Sequence, residues 1–391
     1  YLDNAPKKAS GNMHGGNAYS KRVIQLLIKS GCQVSLLIPE GYKAIDLEEE
    51  EIFHHNNVTL VERSELNAGI CLEENSILFF PLLRGKNLGL LKSFKVKNKN
   101  LKIYITVHGL RLLDLVPDKY DKYYYTGIRY YTYGWLSKVL YFVKCNIYKK
   151  VISEKLKYAD KIFTVSNYSM KQIISYVNPV YIKPYYCGTN FKLNDLKKEE
   201  RERNYFLFVS AKRQEKNFLR TLEAFIKHKK EKSNDFFLYV TGLDQRTKKL
   251  LSRYKEWDDN YVNKWVLFFD YVDSDKLEEL YENAAVVLYT SKSEGFGLPA
   301  VEACYSGVPL IASYGSAIPE VLESAAYYVN PYDVNSICQG MNVMTEKKVL
   351  DDYRDRIIKY KAIINLRVEY SDRNFVKEFN GKEDKTSLIQ F

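Results

Sequence analysis

At 391 residues the chain exceeds the size at which a single core stops growing, so two domains of ordinary size are expected. Hydrophobic residues make up 46% of it and aromatic residues 14%, yet no stretch reaches the roughly 20 uninterrupted apolar residues of a membrane-crossing helix, which points to a soluble globular protein. With 59 Lys and Arg against 48 Asp and Glu the net charge is +11, suited to an anionic partner: nucleotide phosphates, an acidic membrane surface or nucleic acid.

Tyr1 to Asn4 carry neither a basic nor an apolar leader pattern, and the six cysteines are scattered without metal or redox spacing. Both features fit reduced thiols in the cytoplasm. A glycine-rich loop spans Gly11 to Gly16, and such a loop normally follows a strand, whose beginning is then expected to precede Tyr1. Gly15 and Gly16 stand before a helix that opens near Asn17 and runs to Lys29; their N–H groups can face a cleft, or simply make a turn. Strands are expected at Cys32–Pro39, Ile77–Pro81, Leu101–Val107 and Lys161–Val165. His108 closes the third of these and is followed by Gly109, Leu110 and Arg111, which presents an imidazole at a crevice edge.

From Lys119 to Lys157 there are nine Lys/Arg, two acids and nine tyrosines, with Leu136, Val139, Leu140, Val143 and Ile147 at helical spacing. Two readings follow. The apolar stripe packs against its own domain, or it docks on anionic lipid headgroups.

Lys192 to Asn204 is a dense mixed-charge segment with little to bury, and reads as a linker. A second strand series follows at Tyr205–Ser210, Phe236–Thr241, Val266–Phe269, Ala285–Thr290 and Val308–Ala312, and a charged helical stretch with irregularly spaced apolar residues closes the chain from about Glu346 to Phe379. Alternating strands and helices imply parallel α/β sheets.

In this second series, Arg213 and Lys216 lie in the loop Ser210–Asn217 at a strand's carboxyl end, where a guanidinium fork and a point charge can neutralise a diphosphate. Thr290 to Glu302 reads T-S-K-S-E-G-F-G-L-P-A-V-E. Its Gly295 and Gly297 allow a tight turn, Pro299 suits the first turn of a helix, and the helix N-terminus makes an anion site. Glu294 and Glu302, one on each side of that turn, can accept hydrogen bonds from sugar or ribose hydroxyls. Asp273-Ser274-Asp275 has the look of a metal motif but precedes a helical start, so Asp273 is expected to be an N-cap and no metal site is implied. The sequence lacks a G-x-x-x-x-G-K-[ST] loop and a complete G-x-G-x-x-G, which argues against an ATPase or a dehydrogenase.

The Thr290–Glu302 string resembles the E-x7-E signature of glycosyltransferase family 4, the group 1 retaining glycosyltransferases. Gly307-Val308-Pro309, Ile318-Pro319-Glu320-Val321, Gly15-Gly16, Val107-His108, Thr164-Val165-Ser166 and Cys187-Gly188 extend the resemblance over nearly the whole chain. It implies the GT-B fold, two Rossmann-like doubly wound α/β domains facing across a cleft: 1–191 for the acceptor, linker 192–204, 205–365 for the nucleotide sugar, and a helix over 366–391 returning to the first domain.

The resemblance further implies catalytic roles for Glu294, His108, Arg213 and Lys216. Donor contacts would come from Gly15, Gly16, Arg213, Lys216, Val272, Glu294, Gly295, Phe296, Gly297, Leu298 and Glu302. The family's usual Gly-Arg after the strand is here Ser210-Ala211, which shifts the diphosphate role to Arg213. The implied donor is a UDP- or GDP-sugar, with no resident cofactor or metal. The acceptor would be a carbohydrate or lipid-linked molecule of surface polysaccharide or glycolipid synthesis, reached from the cytoplasm, with peripheral contact to the inner face of the cell membrane as a further expectation. Other readings are a nucleotide-sugar epimerase of the same architecture and a catalytically silent nucleotide-sugar- or RNA-binding protein; no aromatic RNA-binding motif supports a nucleic-acid partner.

Overall fold

The computed structural model describes residues 15–44, 47–62, 76–82, 88–97, 100–133, 135–179, 181–189 and 204–380. The expected first strand and nearly all of the expected linker fall outside these residues. In the first unit β1 (Val34–Ile38) and β2 (Val58–Glu62) form a parallel pair, and β3 (Ile77–Phe80), β4 (Lys102–Val107), β5 (Lys161–Thr164) and β6 (Ile182–Pro184) form a parallel sheet in the order β3-β4-β5-β6. Ile103, Ile105 and Val107 of β4 are buried, as a central parallel strand covered by helices on both faces requires.

The second unit is one six-stranded parallel sheet ordered β12-β11-β10-β7-β8-β9. Its strands are β7 (Tyr205–Phe208), β8 (Phe237–Val240), β9 (Val266–Phe268), β10 (Val286–Tyr289), β11 (Leu310–Ser313) and β12 (Ala326–Val329). From β7 the chain builds outward through β8 and β9, then returns to add β10 on β7's other side. The switch of direction lies between β7 and β10, all eight of whose residues are buried. In such sheets the crevice opens at the carboxyl ends of the two strands flanking the switch.

The helix expected over 366–391 begins at Lys347 and runs unbroken to Phe379. Its apolar positions are less irregular than the sequence suggests. Ile357, Tyr360, Ile364, Val368, Ser371 and Phe375 are buried at spacings of three and four, one continuous stripe that includes a serine and a tyrosine. The stripe starts on the second unit and ends on the first. There Arg22 Nη2 meets Asp372 Oδ2 at 2.8 Å, Lys161 Nζ meets Glu378 Oε2 at 2.6 Å, and Phe375 and Phe379 pack on Phe79 and Phe163.

The helix Trp135–Leu156 corrects the reading in which its apolar stripe packs on its own domain. Its inward face is Tyr141, Cys145, Ile152 and Leu156, whereas Val139, Leu140, Val143 and Ile147 point outward; the Leu136 side chain lies outside the described residues. Among the described residues no helix is long and apolar enough to cross a membrane.

Candidate active site

Two loops leave the carboxyl ends of β7 and β10 and meet at the switch point. After β7 the backbone turns through Ser210 at φ 65° and Asn217 at φ 69°, both in the left-handed region that favours glycine. Ser210 thus adopts the conformation for which the family's usual glycine is suited. The short turn Gln214–Lys216 between them carries Lys216 inward, and Asn217 begins the helix Phe218–Glu231. Asn217 Nδ2 donates to the Thr290 carbonyl at 3.1 Å, tying the β7 loop to the β10 loop.

On the β10 side, Glu294 is buried, its backbone N–H donating to Ser316 Oγ at 3.0 Å. Gly297, at φ 110°, ends the turn and starts the helix Leu298–Tyr305, with Pro299 in its first turn. Lys216 Nζ and Glu294 Oε1 join the loops in a buried ion pair at 2.6 Å.

Around this pair the electrostatics are set by three cations. Burial alone would raise the Glu294 carboxyl, but Lys216, Arg111 and Arg213 outweigh it and hold the group near about 2, so it is ionised at any ordinary pH. Burial pulls the Lys216 ammonium below its ordinary value, with Glu294 opposing. Arg213 pairs with Glu215, and the same Glu215 Oε1 receives Arg111 Nη1 at 2.9 Å from the first unit. Glu302, eight residues beyond Glu294, accepts the Tyr281 hydroxyl at 3.0 Å, and burial raises its carboxyl to about 7. The two glutamates that look alike in the sequence therefore differ in charge at neutral pH.

The first unit closes the site with His108 and Gly109. A Cβ at Gly295 would stand 1.7 Å from the His108 carbonyl oxygen, so glycine there serves the close approach of two backbones, while the turn itself falls to Gly297. Ser166 Oγ donates to the Gly295 carbonyl at 2.6 Å, closing the same seam. Burial, opposed by a hydrogen bond to the Pro81 carbonyl and aided by Arg111, lowers the His108 imidazole to about 4. It is neutral. Because a carbonyl can only accept, the Nε2 at 3.0 Å from Pro81 O carries the proton and Nδ1 is left as an acceptor. Tyr19, one turn into the helix Gly15–Lys29, packs edge-on against the imidazole at 4.5 Å, so this helix's N-terminus with Gly15 and Gly16 lies on the same side.

Of the residues singled out in the sequence, His108, Arg213, Lys216, Glu294, Gly295 and Gly297 are thus brought together. Phe296 is buried against Tyr186, and Leu298 and Val272 are half-buried apolar surface around the nearby core. Asp273 caps the helix Ser274–Glu282 by accepting the Lys276 N–H at 2.8 Å.

The sequence reading assigned no role to Arg111, Glu215, Glu320 or the acids at 114, 118 and 121. Glu320 accepts the Asn167 and Tyr168 N–H groups at 2.6 and 2.8 Å, capping a first-unit helix from the second unit. Asp114 receives Ser293 Oγ at 2.8 Å, Asp118 receives Arg220 at 2.5 Å and Asp121 receives Lys292 at 2.6 Å. One signal was available: aspartates at 114, 118 and 121 cluster within eight residues. Ser291 Oγ and Asn17 Oδ1 are buried polar atoms with no partner among the described residues, as expected where a ligand supplies the missing hydrogen bonds.

Comparison with known proteins agrees with this geometry. A family model described as glycosyl transferases group 1 matches residues 191–362. The O-antigen chain mannosyltransferase RfbU of Salmonella typhimurium is 33% identical over 198 residues, 50% of this chain and 54% of that protein. The O-antigen chain mannosyltransferase B of Escherichia coli is 28% identical over 210 residues, 48% and 52% of the two. The chain thus spans about half the length of these curated relatives.

Among solved structures, a glycosyltransferase from Rickettsia africae superposes with a TM-score of 0.63 at 17% identity, covering 97% of this chain and 98% of that one. An E. coli structure described as trehalose-6-phosphate bound with UDP-2-fluoro glucose superposes at 0.66 and 11%, covering 98% of each. These likenesses show the fold, which is GT-B. Residues 191–362, which carry Arg213, Lys216, Glu294 and Glu302, are the part of the chain that is similar to the group 1 glycosyl transferases.

Proposed function

We propose that the protein is a retaining glycosyltransferase that moves a sugar from a nucleoside diphosphate sugar to a carbohydrate or lipid-linked acceptor of surface polysaccharide synthesis. The observation that carries this reading is the buried Lys216–Glu294 pair at the switch point, flanked by Arg213 and Arg111. Three cations against Glu294 and Glu215 leave one positive charge, and a diphosphate that displaces Glu215 from Arg213 and Arg111 would meet all three. In the reaction the bond from the anomeric carbon to the leaving phosphate oxygen breaks as the acceptor oxygen bonds to that carbon on the same face. The acceptor proton passes to the leaving phosphate. Arg213, Arg111, Lys216 and the N-terminus of the helix beyond Gly297 stabilise the charge that develops there.

Glu294, ionised, accepts hydrogen bonds from hydroxyls of the transferred sugar, and Glu302 holds the ribose. Neutral His108 offers Nδ1 to a sugar hydroxyl from the opposite wall. No resident metal enters this account, since the phosphate charge is met by side chains. The relatives named as mannosyltransferases of O-antigen chains make mannose the first sugar to test. The test is a panel of UDP- and GDP-sugars, turned over in EDTA with a glycan acceptor, with the product's anomeric configuration read by NMR. Release of one nucleoside diphosphate and retention of configuration are expected. Turnover that required added manganese, or an inverted product, would overturn the corresponding part of the reading.

A further inference from the structure

We propose that the outer face of the helix Trp135–Leu156 is a docking surface for an anionic phospholipid leaflet. Val139, Phe142, Val143 and Ile147 are exposed by 44, 62, 51 and 57%, on a helix whose opposite face is buried in the first unit's core. The short helix before it, Ile128–Thr132, adds Ile128 and Tyr131 at 78 and 84% exposure. An apolar row this long left to water on a globular domain marks an interaction surface.

Charge decides which partner. Lys138 and Lys149 are eleven residues apart, as are Lys144 and Lys155, a separation of about three helical turns. By helical periodicity the first pair borders one edge of the apolar row and the second pair the other. Between 135 and 157 there are six lysines, and the single acid, Glu154, is paired with Lys157 at 2.7 Å. Apolar side chains flanked by lysines match a leaflet, where the row enters the acyl boundary and the ammonium groups reach the phosphates. A second copy of the chain fits worse, because its own six lysines would meet these. The helix is also pinned to the turn that carries Arg111, Tyr141 donating its hydroxyl to the Leu113 carbonyl at 2.8 Å. A leaflet on this face therefore lies on the first unit's side of the cleft, independently of which donor the second unit binds.

Flotation of the full chain tests this, using vesicles of phosphatidylcholine alone and of phosphatidylcholine mixed with phosphatidylglycerol. Flotation is expected only with the anionic vesicles, and should fail in about 1 M salt, where the screening length is about 3 Å. Lys138→Gln and Lys144→Gln should each weaken partition about fivefold, the equivalent of about 1 kcal/mol per basic residue. Val143→Glu combined with Ile147→Glu should abolish it; both positions are exposed, and circular dichroism checks that the fold is kept. Equal recovery with both vesicle types, or no recovery at low salt, would overturn the proposal. So would an apolar double variant that floats like the parent, or a parent dimer that the double variant converts to monomer.

Discussion

Glu302 is the residue whose chemistry the sequence disguises most. Its carboxyl is raised by burial to about 7 against an ordinary 4.5, so the folded chain holds this proton more tightly than the unfolded one. The associated stability is complete below the unfolded value and is lost as pH climbs through the folded value. Glu302→Gln removes that loss. The variant is expected to gain up to about 3 kcal/mol over the parent at about pH 8 and little at about pH 4, which urea unfolding at the two pH values measures. An identical difference at both would show that Glu302 does not titrate as described.

Residue types and spacing made Arg213, Lys216, Glu294 and the glycine turn legible, because each lies within a few positions of a strand end. Arg111 and Glu215 were not, because their meeting depends on how two units separated by a hundred residues close on one another. Gly295 was legible as a required glycine but for an incomplete reason, since its partner, the His108 carbonyl, lies far away in the chain.

At the scale of elements, the strands with continuous apolar runs were readable, and β7 and β10, the pair that positions the site, are of this kind. Those missed are β2, β6 and β12. β2 carries Thr59 and Glu62 on a half-exposed edge, β6 is Ile-Lys-Pro, and β12 is Ala-Tyr-Tyr-Val with its middle half-exposed. The sheet order marks all three as edge strands, where local pattern is weakest.

The helix Asn167–Ile174 illustrates a second limit. Its own Ser166 caps Ser169, but its Asn167 and Tyr168 N–H groups depend on Glu320 of the other unit. Glu320→Gln keeps the size and removes the charge at the helix N-terminus. It is expected to cost about 1 to 2 kcal/mol, read as a lower urea midpoint. No change in midpoint would mean that the cap contributes nothing to closure.

Over the whole molecule, the two units are held by a returning helix, a seam at Gly295 and a row of charged contacts from residues 111 to 121. The seam is the tightest of these. Gly295→Ala would drive a methyl group into the His108 carbonyl, which requires the units to separate locally while each core stays intact. The expected result is a folded protein whose kcat for sugar transfer falls by more than about tenfold, the equivalent of about 1.4 kcal/mol of barrier. Parent-like turnover would show that the closed seam is not the working geometry.

The most direct test of the whole account compares Glu294→Gln with Glu302→Gln in steady-state sugar transfer. If Glu294 touches the sugar being transferred, its hydrogen bonds strengthen as charge develops and its loss lowers kcat. If Glu302 holds the ribose, its loss acts about equally on ground and transition states and chiefly raises KM for the donor. Assayed at about pH 8, where both carboxyls are ionised, either change should amount to about 10- to 150-fold, one charge-assisted hydrogen bond of about 1.5 to 3 kcal/mol. A Glu294→Gln enzyme with parental kcat, or a Glu302→Gln enzyme whose kcat collapses at unchanged KM, would contradict the assignment of the donor site to the crevice between β7 and β10.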